Sequence, residues 1–186
     1  MFNIVHSELD SLCLTLNVEK PCCLRIGPRH DIKCSEVTTH SGEVIRWANE
    51  TRYLGIYLVS ARVFTCSLDH ARKSFNRAVN GILGKIGLVA HEDVILELIK
   101  KKCLPILLYG SEVLSLNKAK ICSLDFSLIR FAMKIFRTGN RHLVTECLAN
   151  FGFSLPSVCV TNRFTRFIEK FRNKDNLMCK LVNATN

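Results

Sequence analysis

No apolar run in this 186-residue chain approaches the roughly 18 to 20 residues that span a bilayer. The longest candidate, residues 103–109, contains Pro105 and follows three consecutive lysines, so no membrane partner is expected. Residues 1–10 carry His6, Glu8 and Asp10, where a secretion signal would have a basic start and an apolar core. An intracellular location, cytoplasmic or nuclear, follows as the expectation. Metal-ligand spacing is also missing. The ten cysteines form no Cys-x-x-Cys pair, and the six histidines have neither one another nor a cysteine at a recognised ligand interval. Neither a zinc site nor a Cys–His nucleophile is expected, and reduced cysteines used as small hydrophobes are. Adjacent aspartates are absent as well. Asp10, Asp31, Asp69, Asp93, Asp125 and Asp175 are scattered, and Glu92-Asp93 is the nearest approach to a paired carboxylate.

What the chain does have is a substantial apolar fraction and lopsided charge. Hydrophobic residues make up 48% and charged residues 23%. With a mean hydropathy of +0.15, this is a globular composition. Residues 1–60 hold six Lys/Arg against seven Asp/Glu, a net of −1, whereas residues 61–186 hold twenty against nine, a net of +11. A basic second half suggests an anionic partner, nucleic acid or an acidic membrane surface, and charge alone does not choose between them.

Periodicity changes at the same place as charge. Phe2, Val5, Leu9 and Leu12 stand at helical spacing, and residues 22–26 read as a short strand stopped by Gly27-Pro28. Residues 37–47 read as a hairpin turning at His40-Ser41-Gly42, with Trp47 as a core or edge anchor rather than a stacking platform. Residues 51–59, apolar on both faces, read as a buried strand. From Ser67, a good N-cap, apolar residues at 68, 71, 75, 78, 79, 82, 83 and 86 predict an amphipathic helix that Gly87 stops. Further helices are predicted over residues 91–102, ended or kinked by Pro105, over 118–137, broken at Gly139-Asn140, and near 142–150 and 157–172. No repeat or low-complexity segment interrupts this order.

Three segments then carry a resemblance: LTLNVEKPCCLRIG (residues 14–27), RYLGIYL (52–58) and KKCLPILLYGSEVLSL (101–116). In that order they are similar to the non-LTR retrotransposon reverse transcriptases of the LINE/jockey type, over about residues 10–150. There a leucine-asparagine-x-x-lysine segment follows the catalytic aspartate loop. A leucine-glycine turn then grips the primer, and a helical thumb carries a Pro-x-Leu-x-Tyr-Gly-x-Glu-like stretch. The resemblance implies an α+β chain: the end of the palm with its primer-grip turn over residues 1–60, as a small antiparallel sheet, then a basic helical thumb and post-thumb bundle over 61–186. The departure matters equally. The family's RNA-directed DNA polymerases hold two Mg²⁺ ions on adjacent aspartates, and that pair should precede the LNVEK segment by some twenty or thirty residues. This chain is expected to begin too late to include it, to need no cofactor itself, and to be inactive as a polymerase without the missing palm and fingers half.

The resemblance makes Lys20 a candidate phosphate-side lysine, with a solvated loop lysine as the plain alternative. It also makes Tyr53, Leu54 and Gly55 a candidate primer-gripping turn, the alternative being a strand packed in the interior. Arg72, Lys73, Arg77 and Lys85, on the polar face of the first long helix, are the best candidates for phosphate contacts, although an ordinary solvated face would look similar. At least one of Lys100, Lys101 and Lys102 is expected to face solvent without function. The expected partner is an RNA–DNA hybrid or other nucleic acid, bound without sequence preference. The competing expectation is a protein-interaction module with no nucleic-acid role.

Overall fold

The computed structural model describes residues 22–39, 42–86, 89–114 and 116–176, together with Glu8, Ser11, Leu12 and Cys179. The expected opening helix on Phe2, Val5 and Leu9, the candidate Lys20, and the stop at Gly87 lie outside the described residues. The chain is mixed α+β and divides into two compact units, Met1–Ser67 and Leu68–Asn186.

Among the described residues, the first unit holds two three-stranded sheets rather than one antiparallel sheet. One has the order β1 (Cys22–Cys23), β3 (Val44–Trp47), β2 (Val37–Thr38), and its β1–β3 pair is parallel. The expected hairpin forms, with Val37 opposite Ile45 and Thr38 opposite Val44. The strand expected over residues 22–26 is cut short because Gly27 adopts φ +136° and turns the chain, leaving Ile26 a single bridge to Ala61. The second sheet has the order β4 (Glu50–Tyr53), β5 (Ile56–Val59), β6 (Thr65–Ser67), all antiparallel. Residues 51–59 are therefore not one buried strand but a hairpin, since Leu54 and Gly55 reverse the chain with φ of 47° and 83°. Positive φ at both central residues is the type I′ signature, whose twist matches that of paired strands.

Polar contacts tie the first unit together. The Ser60 hydroxyl donates to the Arg25 carbonyl at 2.8 Å, and the Ala48 N–H donates to the Cys23 carbonyl at 2.9 Å. Apolar burial is thin: among the described residues of this unit only Ile45 and Cys66 are buried hydrophobics. Trp47 is not a core anchor. It lies on the central strand of its sheet, 41% exposed, with its Nε1 donating to the Ser35 carbonyl at 3.0 Å.

The second unit is helical: α1 (Asp69–Ile86), α2 (Glu92–Leu98), α3 (Leu104–Leu107), α4 (Lys118–Ile135), α5 (Arg141–Asn150) and α6 (Pro156–Arg172). Ser67 ends β6, and α1 starts two residues later, with the Arg72 N–H bonding the Leu68 carbonyl at 2.9 Å in its first turn. Pro105 does not end the helix before it. A π-helical segment, Ile99–Cys103, joins α2 to α3, and the Leu104 N–H reaches back five residues to the Ile99 carbonyl. Widening the turn just ahead of a residue with no N–H lets the chain carry the proline without stopping. The helix ending at Ile135 stops before Gly139, because Arg137 takes a left-handed φ of 49° and the Thr138 N–H bonds the Met133 carbonyl at 3.2 Å.

One apolar cluster fills this unit. Phe75 and Val79 of α1, Ile95, Leu96 and Ile99, and Leu124, Leu128 and Ile135 of α4 all join it. Each fully buried large side chain in this cluster contributes about 1.5–3 kcal/mol of apolar burial. Among the described residues, Asp125 is the carboxylate buried in this unit, at 8% exposed. Its carboxylate accepts from the Ser157 N–H at 2.8 Å, at the start of α6. Leu155, the N-cap of that helix, has no side-chain oxygen, so Asp125 caps α6 from another helix and meets its positive dipole end. Arg163, two turns along α6, donates to the Leu108 carbonyl at 3.1 Å and holds the turn after α3.

Two expectations follow. Asp125→Ala should cost about 1–2 kcal/mol in denaturant unfolding of the second unit, by loss of the cap; an unchanged midpoint would contradict that role. Limited proteolysis should cut the thinly cored first unit well before residues 68–176, with mass spectrometry of the early fragments as the readout.

Candidate functional site

The candidates fall into two groups, one in each unit. Tyr53, Leu54 and Gly55 form the tip of the β4–β5 hairpin, with Tyr53 63% and Leu54 75% exposed. All three residues are exposed, at the turn that joins β4 to β5. The tip is strained as well as exposed. A leucine in the left-handed region costs about 1 kcal/mol relative to glycine or asparagine. Beside it, the Arg52 guanidinium lies 6.0 Å from the centroid of the Tyr57 ring. A stiff hairpin presenting an aromatic ring, an apolar side chain and a bare glycine backbone can approach a sugar-phosphate chain closely.

In the second unit, α1 does not carry its four cations on one face. At about 100° per residue, Lys73 and Arg77 lie about 40° apart, Lys85 about 80° beyond Arg77, and Arg72 about 100° to the other side of Lys73. Arg72 is also partly spoken for. Its Nη1 bonds Asp69 Oδ1 at 3.3 Å, while its Nε is buried without a partner. Lys73 and Arg77 are exposed and form the usable pair, and Lys85 stands apart near the helix end.

The fold brings in two cations that sequence reasoning did not single out. A cleft of about 190 Å³ runs between α1 and α4, floored by Val79 and Phe131. Asn76 and Asn80 form its α1 wall, and Arg130 and Lys134 its α4 wall, with Ser127 between. Both walls repeat at i, i+4, so each pair stacks on one side of its helix. Guanidinium, ammonium and carboxamide donors around one cleft can hold a phosphate oxygen from several directions, and Lys73 and Arg77 extend the same basic surface along α1. The pairs at 76/80 and 130/134 are legible as spacing, but only the packing of α1 on α4 makes them face each other.

The three consecutive lysines divide as helical geometry requires. Lys100 Nζ donates to the Gly152 carbonyl at 3.1 Å and sits 5.6 Å from the Phe153 ring centroid, a structural clamp. Lys101 pairs with Glu97 at 3.4 Å, and Lys102 is exposed. The described cysteines are free thiols. Burial pushes the Cys103 thiol above its ordinary value, and burial raises Cys159 too, with nearby Arg163 drawing it back and Asp125 adding to the rise. Such thiols are poor nucleophiles. Among the described residues no group of three or more His, Cys, Asp or Glu could hold a metal ion, and no helix is long and apolar enough to cross a membrane.

No protein-family model, curated protein or solved structure matches the chain. The case for a nucleic-acid site therefore stands on the residues themselves. Leu54→Asn should separate strain from contact at the hairpin tip. It should stabilise the hairpin by up to about 1 kcal/mol, and if the tip touches nucleic acid it should weaken binding in the same protein. A gain in stability with unchanged binding would leave the turn a purely structural device.

Proposed function

We propose that this chain is a reverse-transcriptase-like palm end and thumb that binds duplex or hybrid nucleic acid through its phosphates, without polymerase activity of its own. The observation that carries the reading is the basic surface of the second unit, where Lys73 and Arg77 of α1 adjoin the cleft bearing Arg130 and Lys134. Phosphate contacts of this kind give affinity without sequence readout, through release of condensed counterions. The exposed Tyr53-Leu54-Gly55 turn supports the primer-grip part of the proposal. The residues present do not fit a two-Mg²⁺ polymerase site, since the aspartates are dispersed and none adjoins another. Their role is to bind and orient a duplex. Chemistry would have to come from an aspartate pair on another segment or chain.

A second reading, a protein-docking module, is favoured by the apolar residues the first unit leaves in solvent, among them Val63 at 71% and Phe64 at 51% exposed. Salt separates the two, because an apolar interface is nearly indifferent to ionic strength. Fluorescence anisotropy of a labelled RNA–DNA hybrid across a salt series should give a log–log slope corresponding to about four phosphate contacts. Lys73→Ala with Arg77→Ala, and separately Arg130→Ala with Lys134→Ala, should each flatten the slope by about 0.9 per contact removed. Arg72→Ala should change it less, since Asp69 already engages that side chain. Absence of binding at low salt would reject the nucleic-acid reading.

A further inference from the structure

The first unit contains a second basic site, separate from the helical surface. Arg25, Arg29 and Lys33 line one open cleft of about 620 Å³, and Trp47 lines it with them. That volume lies within the roughly 300–1,000 Å³ of small-molecule sites. No carboxylate is among the lining residues, although Asp31 and Glu36 are close in sequence. Neither Arg29 nor Lys33 makes an ion pair among the described residues. Three cations lining one hollow that no carboxylate lines give it a positive potential, which favours an anion there.

The cleft is held open by its own polar frame. Arg25 Nη1 donates to the Ile32 carbonyl at 3.0 Å and lies 2.8 Å from Cys34 Sγ, which fixes the guanidinium. The His30 N–H bonds the Gly27 carbonyl at 3.1 Å, turning the loop that carries Arg29. Trp47 Nε1 bonds the Ser35 carbonyl at 3.0 Å, which locks the indole by its edge while the side chain stays 41% exposed. A hydrogen-bonded, partly exposed indole beside a held Arg25 and two exposed cations offers a stacking plane and a phosphate seat within one cavity.

We propose that this cleft binds a nucleoside phosphate, the base against Trp47 and the phosphate among Arg25, Arg29 and Lys33. The ligand is either a free nucleotide or the terminal nucleotide of a single strand, which share that chemistry. The site is independent of the α1–α4 surface and does not rest on it.

Trp47 is the one tryptophan of the chain, so its fluorescence reports on this cleft directly. The full chain is titrated with AMP, adenosine, inorganic phosphate and a 5′-phosphorylated single-stranded oligonucleotide, with calorimetry alongside in case binding is optically silent. AMP should bind saturably, with adenosine and inorganic phosphate each weaker by about tenfold or more. Arg29→Ala with Lys33→Ala, both at exposed positions, should weaken AMP by a similar factor. Lys73→Ala with Arg77→Ala should leave AMP binding unchanged, so failure here is distinguishable from failure of the hybrid-binding proposal. An oligonucleotide that binds more tightly than AMP assigns the site to strand ends, and one that binds equally or less tightly assigns it to free nucleotide. The proposal is overturned if neither AMP nor the oligonucleotide binds, if inorganic phosphate binds as well as AMP, or if removing Arg29 and Lys33 changes nothing.

Discussion

Leu124, Leu128, Ala132 and Ile135 stand in a row along α4, each fully or almost fully buried, with Asp125 turned inward beside them. The arrangement of the second unit depends on that face. It packs against α5 and α6, and against α1 on another side, so moving α4 would move every helix that touches it. The buried carboxylate adds direction to a contact that is otherwise non-directional. Apolar packing tolerates sliding, whereas the bond from the Ser157 N–H to Asp125 requires the first turn of α6 at one height along α4.

The same packing creates the basic surface as a by-product of burying the core. Val79 of α1 and Phe131 of α4 both belong to the buried cluster, and the polar residues flanking each, Asn76 and Asn80 on one helix and Arg130 and Lys134 on the other, are left lining the cleft with them. Neither helix presents this site alone. Arg72, by contrast, lies off the Lys73–Arg77 face and is the least available of the four candidates on α1, because a local carboxylate one turn away competes for it.

The first unit follows a different logic. With Ile45 and Cys66 as its buried hydrophobics among the described residues, it relies on main-chain pairing and on side-chain bonds to carbonyls, such as Ser60 to Arg25 and Trp47 to Ser35. A frame of that kind leaves apolar and cationic side chains facing solvent. The exposed turn at Leu54-Gly55 and the cleft beside Trp47 are both products of it.

Much of the helical half was legible in the sequence. The apolar stripes at 68–86 and 118–137 locate α1 and α4 closely, since a 3.6-residue period over many turns has no competing explanation. The 37–47 hairpin was legible for the matching reason in strands. Short apolar segments were not: residues 51–59 contain no alternation to separate one strand from two, and the reversal turns on left-handed φ at Leu54, a residue that propensity would never nominate. Of the two outcomes expected at Pro105, an end or a kink, the helix does not end, since a π turn formed just before it accommodates the missing N–H.

By itself, the sequence determined the α+β composition, the positive second half and the periodic faces, because each is a property of residues near one another along the chain. The tertiary structure alone decided which cations share a cleft, that Asp125 caps a helix 32 residues away, and that Trp47 lines a cleft with Arg25, Arg29 and Lys33 instead of joining a core. Those facts depend on distances between segments remote in sequence, and such distances are set by how buried faces pack.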